Sequence, residues 1–214
     1  MNIDHIFIFT DDQGKVADEL IGFGLLEGSS RVHVGQGTTN RKFYFLNFFL
    51  EILWVYDENE IKSKQTKQAG LWQRADYKTN SFSPFGLCLV NSKETEKLFE
   101  KALKYHSDYF PKGMAIDIIK NDKNPDLPWT FQLPVKGQKN IDDEPRNHPN
   151  GIEILSKAVY EYRNSLDDKY LENFKEVEQI EFIKSSRNWL RLIFDNGKQD
   201  KAKDFQRLNM TIEY

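Results

Sequence analysis

The chain has 214 residues, 30 basic and 33 acidic side chains and a formal net charge of −3. That length removes roughly 70 % of the unfolded surface from water without staples, and the balanced charge gives no general attraction to nucleic acid or to a membrane surface. The single cysteine, Cys88, excludes an internal disulfide framework and fits a reducing compartment.

Ile3 to Phe9 is apolar except at Asp4 and His5 and reads as a strand covered on both faces. Thr10-Asp11-Asp12 supplies helix-capping side chains, Val16, Ala17, Leu20 and Ile21 follow at helical spacing, and Gly24 stops the helix. A short strand at Arg31 to Val34 precedes two longer runs, Lys42 to Leu46 and Phe48 to Tyr56, joined tightly at Asn47. Asp57 to Ser81 is polar apart from Leu71-Trp72 and reads as a surface excursion. Phe82 to Val90 resumes as a strand in which Cys88 reads as a buried, inert thiol. Asn91 with Glu94 caps a helix carrying Leu98, Phe99, Ala102 and Leu103, and His106 sits at its solvated end. Ala115 to Ile119 and Trp129 to Val135 are further strands. After a polar loop, Ile152 to Tyr162 is strand-like, and Ser165 with Asp168 caps a helix bearing Leu166, Tyr170, Leu171 and Phe174. Val177 to Ile183, Trp189 to Phe194 and Leu208 to Ile212 complete the strands.

The order strand, helix, strands thus occurs at 1–57, 82–135 and 150–214, with 58–81 and 136–149 as polar loops. This predicts an α+β fold of repeated βαβββ units whose curved mixed sheets enclose a central cavity, all in one domain. No targeting segment is visible, and the longest apolar stretch, Phe43 to Tyr56, is broken by Asn47 and Glu51 and is too short to cross a bilayer. The expectation is a cytoplasmic protein with a small-molecule ligand and neither nucleic acid nor membrane as partner.

Glu51 is the most informative residue. Period-two alternation places it with Phe49, Leu53 and Val55 on an apolar face, where an unpaired carboxylate costs several kcal/mol, about 2–7 for a polar group and more for a charge. It requires a metal ion, a buried cation or a histidine. His5, on the face of Ile3 and Phe7, has the same character. If the first and last strands of the unit are neighbours, His5 and Glu51 converge; imidazole plus carboxylate suits zinc, iron, manganese or nickel, and a buried His–Glu hydrogen bond or an arginine-paired Glu51 satisfies the same residues. In the run His33 to Arg41, Gly35 and Gly37 permit close ligand approach, while Gln36, Thr38, Asn40 and Arg41 offer donors to a carboxylate or carbonyl. The same run also reads as a hydrogen-bonded turn in which Arg41 pairs with Glu51. Trp54, Trp72 and Trp129 suit either a core or a pocket wall, with Trp72 best placed for a lid.

Ile3-Asp4-His5-Ile6-Phe7-Ile8, a helix, and then Phe49-Leu50-Glu51-Ile52-Leu53 resemble the glyoxalase/bleomycin-resistance/extradiol-dioxygenase (vicinal oxygen chelate) superfamily. His33-Val34-Gly35-Gln36-Gly37-Thr38-Thr39-Asn40-Arg41, Ser83-Pro84-Phe85-Gly86 and His148-Pro149-Asn150-Gly151 are similar to its glyoxalase-like-domain branch. The resemblance implies that His5 and Glu51 are metal ligands; His148 or His33 offers a third, although neither stands at a standard position of the family. The residues themselves suggest a substrate site along His33, Gln36, Thr38, Asn40 and Arg41 beside Trp54 and Trp72. The resemblance implies lyase, isomerase or dioxygenase chemistry through one divalent ion, with Glu51 as general base where the ion is absent. A metal-free binding or sequestering protein of the bleomycin-resistance type is the alternative, because Pro84-Phe85-Gly86 and Arg191 stand where the second His and Glu of a four-ligand site belong. Pairing of units between chains implies a homodimer, whereas three units in one chain would satisfy each other internally.

Overall fold

The computed structural model describes residues 1–106, 113–137, 141–164 and 169–214. The predicted cap of Ser165 with Asp168, and Leu166, lie outside the described residues. The fold is α+β, dominated by curled mixed sheets that form a half-barrel.

Strand β1 (Ile3–Phe9) leads to helix α1 (Ala17–Gly22), then β2 (Val32–His33), β3 (Thr38–Tyr44) and β4 (Phe49–Val55). Asp12 accepts the Val16 amide at 2.8 Å, as expected of its capping position. Gly24, at φ +102°, ends the helix, and the Leu25 amide reaches back to the Leu20 carbonyl at 3.0 Å. The polar stretch after β4 is not a loose excursion. It forms three one-turn helices, α2 (Glu58–Ile61), α3 (Lys64–Lys67) and α4 (Leu71–Ala75), the first two capped by Asp57 and Ser63. Next come β5 (Phe85–Leu89), α5 (Glu96–Phe99), β6 (Leu103–Tyr105), β7 (Ile116–Ile119) and β8 (Trp129–Gln132). Leu103, expected on a helix, starts β6, and Asn91 bonds the Leu133 carbonyl at 2.8 Å instead of capping α5. The C-terminal part comprises β9 (Leu155–Tyr162), α6 (Lys169–Glu172), β10 (Ile180–Lys184), β11 (Trp189–Phe194), β12 (Ala202–Phe205) and β13 (Met210–Glu213).

Eight strands form one sheet in the order β2-β3-β4-β1-β5-β8-β7-β6, with β1 and β5 antiparallel at its centre. Each central strand pairs on its outer side with a parallel neighbour, β1 with β4 and β5 with β8. The C-terminal strands form a separate sheet of five, ordered β10-β9-β11-β13-β12. One face of the large sheet, including Ile6, Ile8, Leu50, Ile52 and Leu87, shares a core with Tyr160, Leu190, Leu192, Met210 and Ile212 of the smaller one. Phe45 meets Phe194 at 4.6 Å between ring centres, and the Asn47 side chain bonds both backbone groups of Leu155 at 2.9 Å. Asp126, in the loop before β8, accepts from Arg163 and from Asn188, both at 2.7 Å, and ties the same two sheets together. No helix among the described residues is long and apolar enough to cross a membrane.

The other face of the large sheet carries Phe7, Phe9, Leu53, Cys88, Trp129 and Phe131, packed with Ile61, Ala69 and Leu71 of the three short helices and their connection. Gly86 is required here, because a Cβ at this position would stand 2.1 Å from the Phe7 ring on the neighbouring strand. Gly86→Ala is expected to cost about 1–3 kcal/mol through overpacking. Urea denaturation measures it, and an unchanged midpoint would contradict the close approach.

Candidate functional site

Between the large sheet and the short helices lies a cavity of about 290 Å³. Its polar wall comes from β1 to β4 and carries Asp4, His5, Arg31, His33, Gln36, Asn40, Lys42 and Glu51. The facing wall is Ile116, Trp129, Phe131 and Leu133, with Phe7, Phe49, Leu53 and Leu71 between.

His5 and Glu51 converge as the sequence predicts, with His5 Nε2 3.9 Å from Glu51 Oε2. Parallel pairing of β1 with β4 makes this possible, since His5 lies opposite Phe49, two residues before Glu51. The His5 ring is held on three sides. It stacks on Phe49 at 4.3 Å between ring centres, meets the edge of Phe131 at 5.2 Å, and bonds Asp4 Oδ1 through Nδ1 at 2.6 Å. A β-bulge between Ile3 and His5 allows the Asp4 contact. It also sends Ile3 into the inter-sheet core with Ile6 and Ile8, rather than leaving it on the face of His5. With Asp4 on Nδ1, Nε2 is the ring nitrogen turned toward Glu51.

Glu51 Oε1 accepts a hydrogen bond from Asn40 Nδ2. The amide orientation of Asn40 is set from outside, because its Oδ1 accepts the Arg31 backbone amide at 2.8 Å. The same Nδ2 lies 3.4 Å from His33 Nε2, whose Nδ1 contacts Thr38 Oγ1 at 2.9 Å. Gln36 also donates to Thr38 Oγ1, at 2.8 Å. His33 is therefore the second imidazole facing the carboxylate, and burial lowers its pKa against the opposing pull of Glu51. Asp4, His5 and Cys88 also present ligand atoms within 4.8 Å of one another. Within that group Asp4 orients His5 through Nδ1, and burial with the charges of Asp4 and Glu51 raises the Cys88 pKa.

Several predicted residues lie elsewhere. Alternation along β3 turns Asn40 and Lys42 to the cavity and Arg41 to the opposite face. There Arg41 grips Glu27 bidentately at 2.6 and 2.7 Å and reaches Asp18 at 2.7 Å, so it neither pairs with Glu51 nor meets a cavity ligand. Trp54 also faces away and covers Gly14. Trp72 sits among the short helices with Lys62 Nζ 3.8 Å above its ring, and Leu71 lines the cavity in its place. The glycine turn does hold a carboxylate, but an internal one: Glu60 Oε2 accepts from Gly35 N at 2.7 Å and Gly37 N at 3.0 Å. Gly37, at φ +75°, lies so close to α2 that a Cβ would stand 2.3 Å from the Asp57 carbonyl oxygen. His148 is not beside Glu51. Its Nδ1 accepts the Leu26 amide at 3.0 Å and its Nε2–H donates to the Tyr44 carbonyl at 2.9 Å, which occupies both nitrogens.

Asp4, Arg31 and Lys42 are the polar cavity residues that the sequence reading passed over. The signal for Lys42 was present, since it follows Asn40 by two residues and pairs with Glu51 across β3 and β4.

No protein-family model matches the chain, and no curated protein matches it. Among solved structures, a hypothetical protein from Staphylococcus aureus aligns with a TM-score of 0.59 and 12 % identity, over 99 % of this chain and 98 % of that one. A hypothetical protein from Bacillus halodurans C-125 aligns with a TM-score of 0.39 and 11 % identity, over 65 % of this chain and 97 % of its own. At these identities the staphylococcal likeness extends to the fold alone, across the whole chain.

Proposed function

We propose that the chain is a small-molecule enzyme of the vicinal oxygen chelate type, with the cavity as its active site and the His5–Glu51 pair as its reacting end. The observation that carries this reading is the 3.9 Å approach of an oriented imidazole nitrogen to a buried carboxylate at the wall of an aromatic cavity. The topology supports it. The order β1-α1-β2-β3-β4 recurs as β5-α5-β6-β7-β8, each with its first and last strands parallel, and the two sets meet at β1 and β5. That is the pattern expected of two paired βαβββ units, with the C-terminal sheet as an addition on the far face.

Two donors are close enough for one divalent ion: His5 Nε2 and Glu51 combine imidazole and carboxylate, which suits zinc, iron, manganese or nickel. His33 Nε2 lies against Asn40 Nδ2 and forms no three-ligand group with them, so further positions would fall to substrate or water. Two ligands of one such ion stand about 3 Å apart, so a small side-chain movement from 3.9 Å suffices. When bound, the ion supplies Lewis-acid polarisation of adjacent oxygens in lyase, isomerase or dioxygenase chemistry. Within the chain, Asp4 orients the His5 ring, Asn40 holds one oxygen of Glu51, and Trp129 and Phe131 supply the apolar wall opposite.

Calorimetric titration of the metal-stripped protein with Zn²⁺, Mn²⁺, Fe²⁺ and Ni²⁺ tests the reading. One ion per chain is expected, bound at least 100-fold more weakly by His5→Ala and Glu51→Gln, and about 10- to 100-fold more weakly by Asp4→Asn, which removes the partner of a ligand. Equal binding by wild type and both ligand variants, or none by wild type, would overturn it. A metal-free binding protein is the second reading. It is favoured by the wholly apolar lining that β7, β8 and the residue after β8 contribute to the cavity. In it Glu51 accepts a ligand hydrogen bond or acts as the base.

A further inference from the structure

The side chain of Lys42 is the cavity group that the His5–Glu51 chemistry does not use. It extends from β3 beside Asn40, and the residue is only 8 % exposed. Its Nζ lies 5.5 Å from the ring centre of Tyr44 and 5.8 Å from that of Phe49. Among the described residues it has no hydrogen bond and no ion pair. Its register partner Glu51 does not come within ion-pair distance, and the Glu51 carboxylate is engaged by Asn40 on one oxygen and faces His5 with the other. Asp4 is likewise taken up by His5.

An ammonium that reaches solvent only through the cavity and has no protein acceptor is costly to hold there, and two cation–π contacts recover only about 1–2 kcal/mol each at best. Burial accordingly lowers the Lys42 pKa, against the opposing pull of Glu51 and Glu144. Arg31 lines the same cavity and gives this end a second cation. The wall opposite is formed by Trp129, Phe131 and Leu133. The volume is at the small end of ligand pockets, which begin at about 300 Å³.

We infer that the cavity takes a small organic acid, its carboxylate seated on Lys42 and its apolar body, one ring or equivalent, against the Trp129–Phe131 wall. This rests on the reading of the cavity as a small-molecule site, but not on the metal. A carboxylate supplies the acceptor that Lys42 lacks, and it leaves the rest of the ligand next to Glu51 and His5. A neutral ligand of the same shape would leave the ammonium buried and unmatched, so discrimination between acid and amide should be strong.

Calorimetry on the full chain with benzoate, phenylacetate and cinnamate, against phenylacetamide and phenyl phosphate, tests this. At least one of the three acids should bind, with the amide at least 10-fold weaker than phenylacetate or undetectable. Lys42→Met should weaken acid binding at least 10-fold and remove the acid–amide difference. Lys42→Gln should do the same, and circular dichroism with thermal melting confirms that each variant is folded. Neither variant should abolish binding of the divalent ion. Equal binding of acid and amide, retained discrimination in both folded variants, tighter binding of phenyl phosphate than of any acid, or binding of none of the three acids would each overturn the inference. Loss of ion binding in His5→Ala with acid discrimination intact would separate the two proposals, as would acid discrimination in a protein that binds no ion.

Discussion

Arg74→Met is expected to destabilise the protein by about 3–5 kcal/mol, a fall of roughly 10 °C in melting temperature for a chain of this size. Arg74 is fully buried in α4, and its guanidinium acts as a hub for backbone carbonyls. Nη1 donates to Ser83 at 3.1 Å, Pro125 at 2.9 Å and Leu127 at 2.7 Å, and Nη2 donates to Lys120 at 2.6 Å. Burial pushes its pKa down to about 9, which still leaves it cationic at neutral pH. Nη1 shares its two N–H groups among three carbonyls and Nε is buried without a partner, but hydrogen bonds to a charged group contribute about 1.5–3 kcal/mol each, and methionine would leave all four carbonyls without this donor. Arg74→Lys should recover less than half of the loss, because one ammonium cannot reach acceptors spread along the planar fork. Urea unfolding measures both variants, and a loss below about 1 kcal/mol for methionine would sink the hub reading. The effect should reach the cavity, since Arg74 ties α4 to the start of β5 and to the segment that delivers Trp129 and Phe131.

His148→Ala is expected to cost about 2–4 kcal/mol, because it orphans two buried backbone groups, the Leu26 amide and the Tyr44 carbonyl, at about 1–3 kcal/mol each. Burial lowers the His148 pKa, so the folded state holds this ring neutral. The unfolded chain takes up a proton near pH 6.5 that the folded chain resists. Stability is therefore complete above about pH 6.5 and is lost as pH falls below it. His33 acts in the same direction, its pKa also lowered by burial. Denaturation midpoints across pH 5–8 should fall on the acid side, and His148→Gln should flatten that slope. A slope unchanged in the variant would sink the assignment. Ion binding should survive in His148→Gln, in contrast to His5→Ala.

The convergence of His5 and Glu51 was legible because each is a polar interruption in an otherwise apolar strand, His5 beside Asp4 in β1 and Glu51 alone in β4, and parallel pairing of such strands leaves few places for their side chains. The limits of the sequence have physical causes. The bulge in β1 breaks the period of two between Ile3 and His5, and nothing in Ile3-Asp4-His5 marks it. Helices α2 to α4 are single turns, too short to show a 3.6-residue stripe, although the caps Asp57 and Ser63 were in plain view. Arg41 was assigned to the site by its place in a motif, while strict alternation with Asn40 would have sent it to Glu27 and brought in Lys42. The carboxylate attracted to Gly35 and Gly37 proved to be Glu60, twenty-odd residues on, a partner that no local pattern reveals.

The two walls of the cavity come from opposite halves of one sheet, joined at β1 and β5. The polar side chains that line the cavity come from the half containing β3 and β4, which also contributes Phe49 and Leu53, whereas β7, β8 and Leu133 contribute apolar side chains alone. A planar molecule between them shows one face to Glu51 and His5 and the other to Trp129 and Phe131. The walls are thus unlike on the two sides of the ligand plane, and only one side can give or take a proton. On the proposed enzymatic reading, chemistry at a trigonal carbon held there would be stereospecific, with the absolute configuration of the product set by which half of the sheet carries the polar residues.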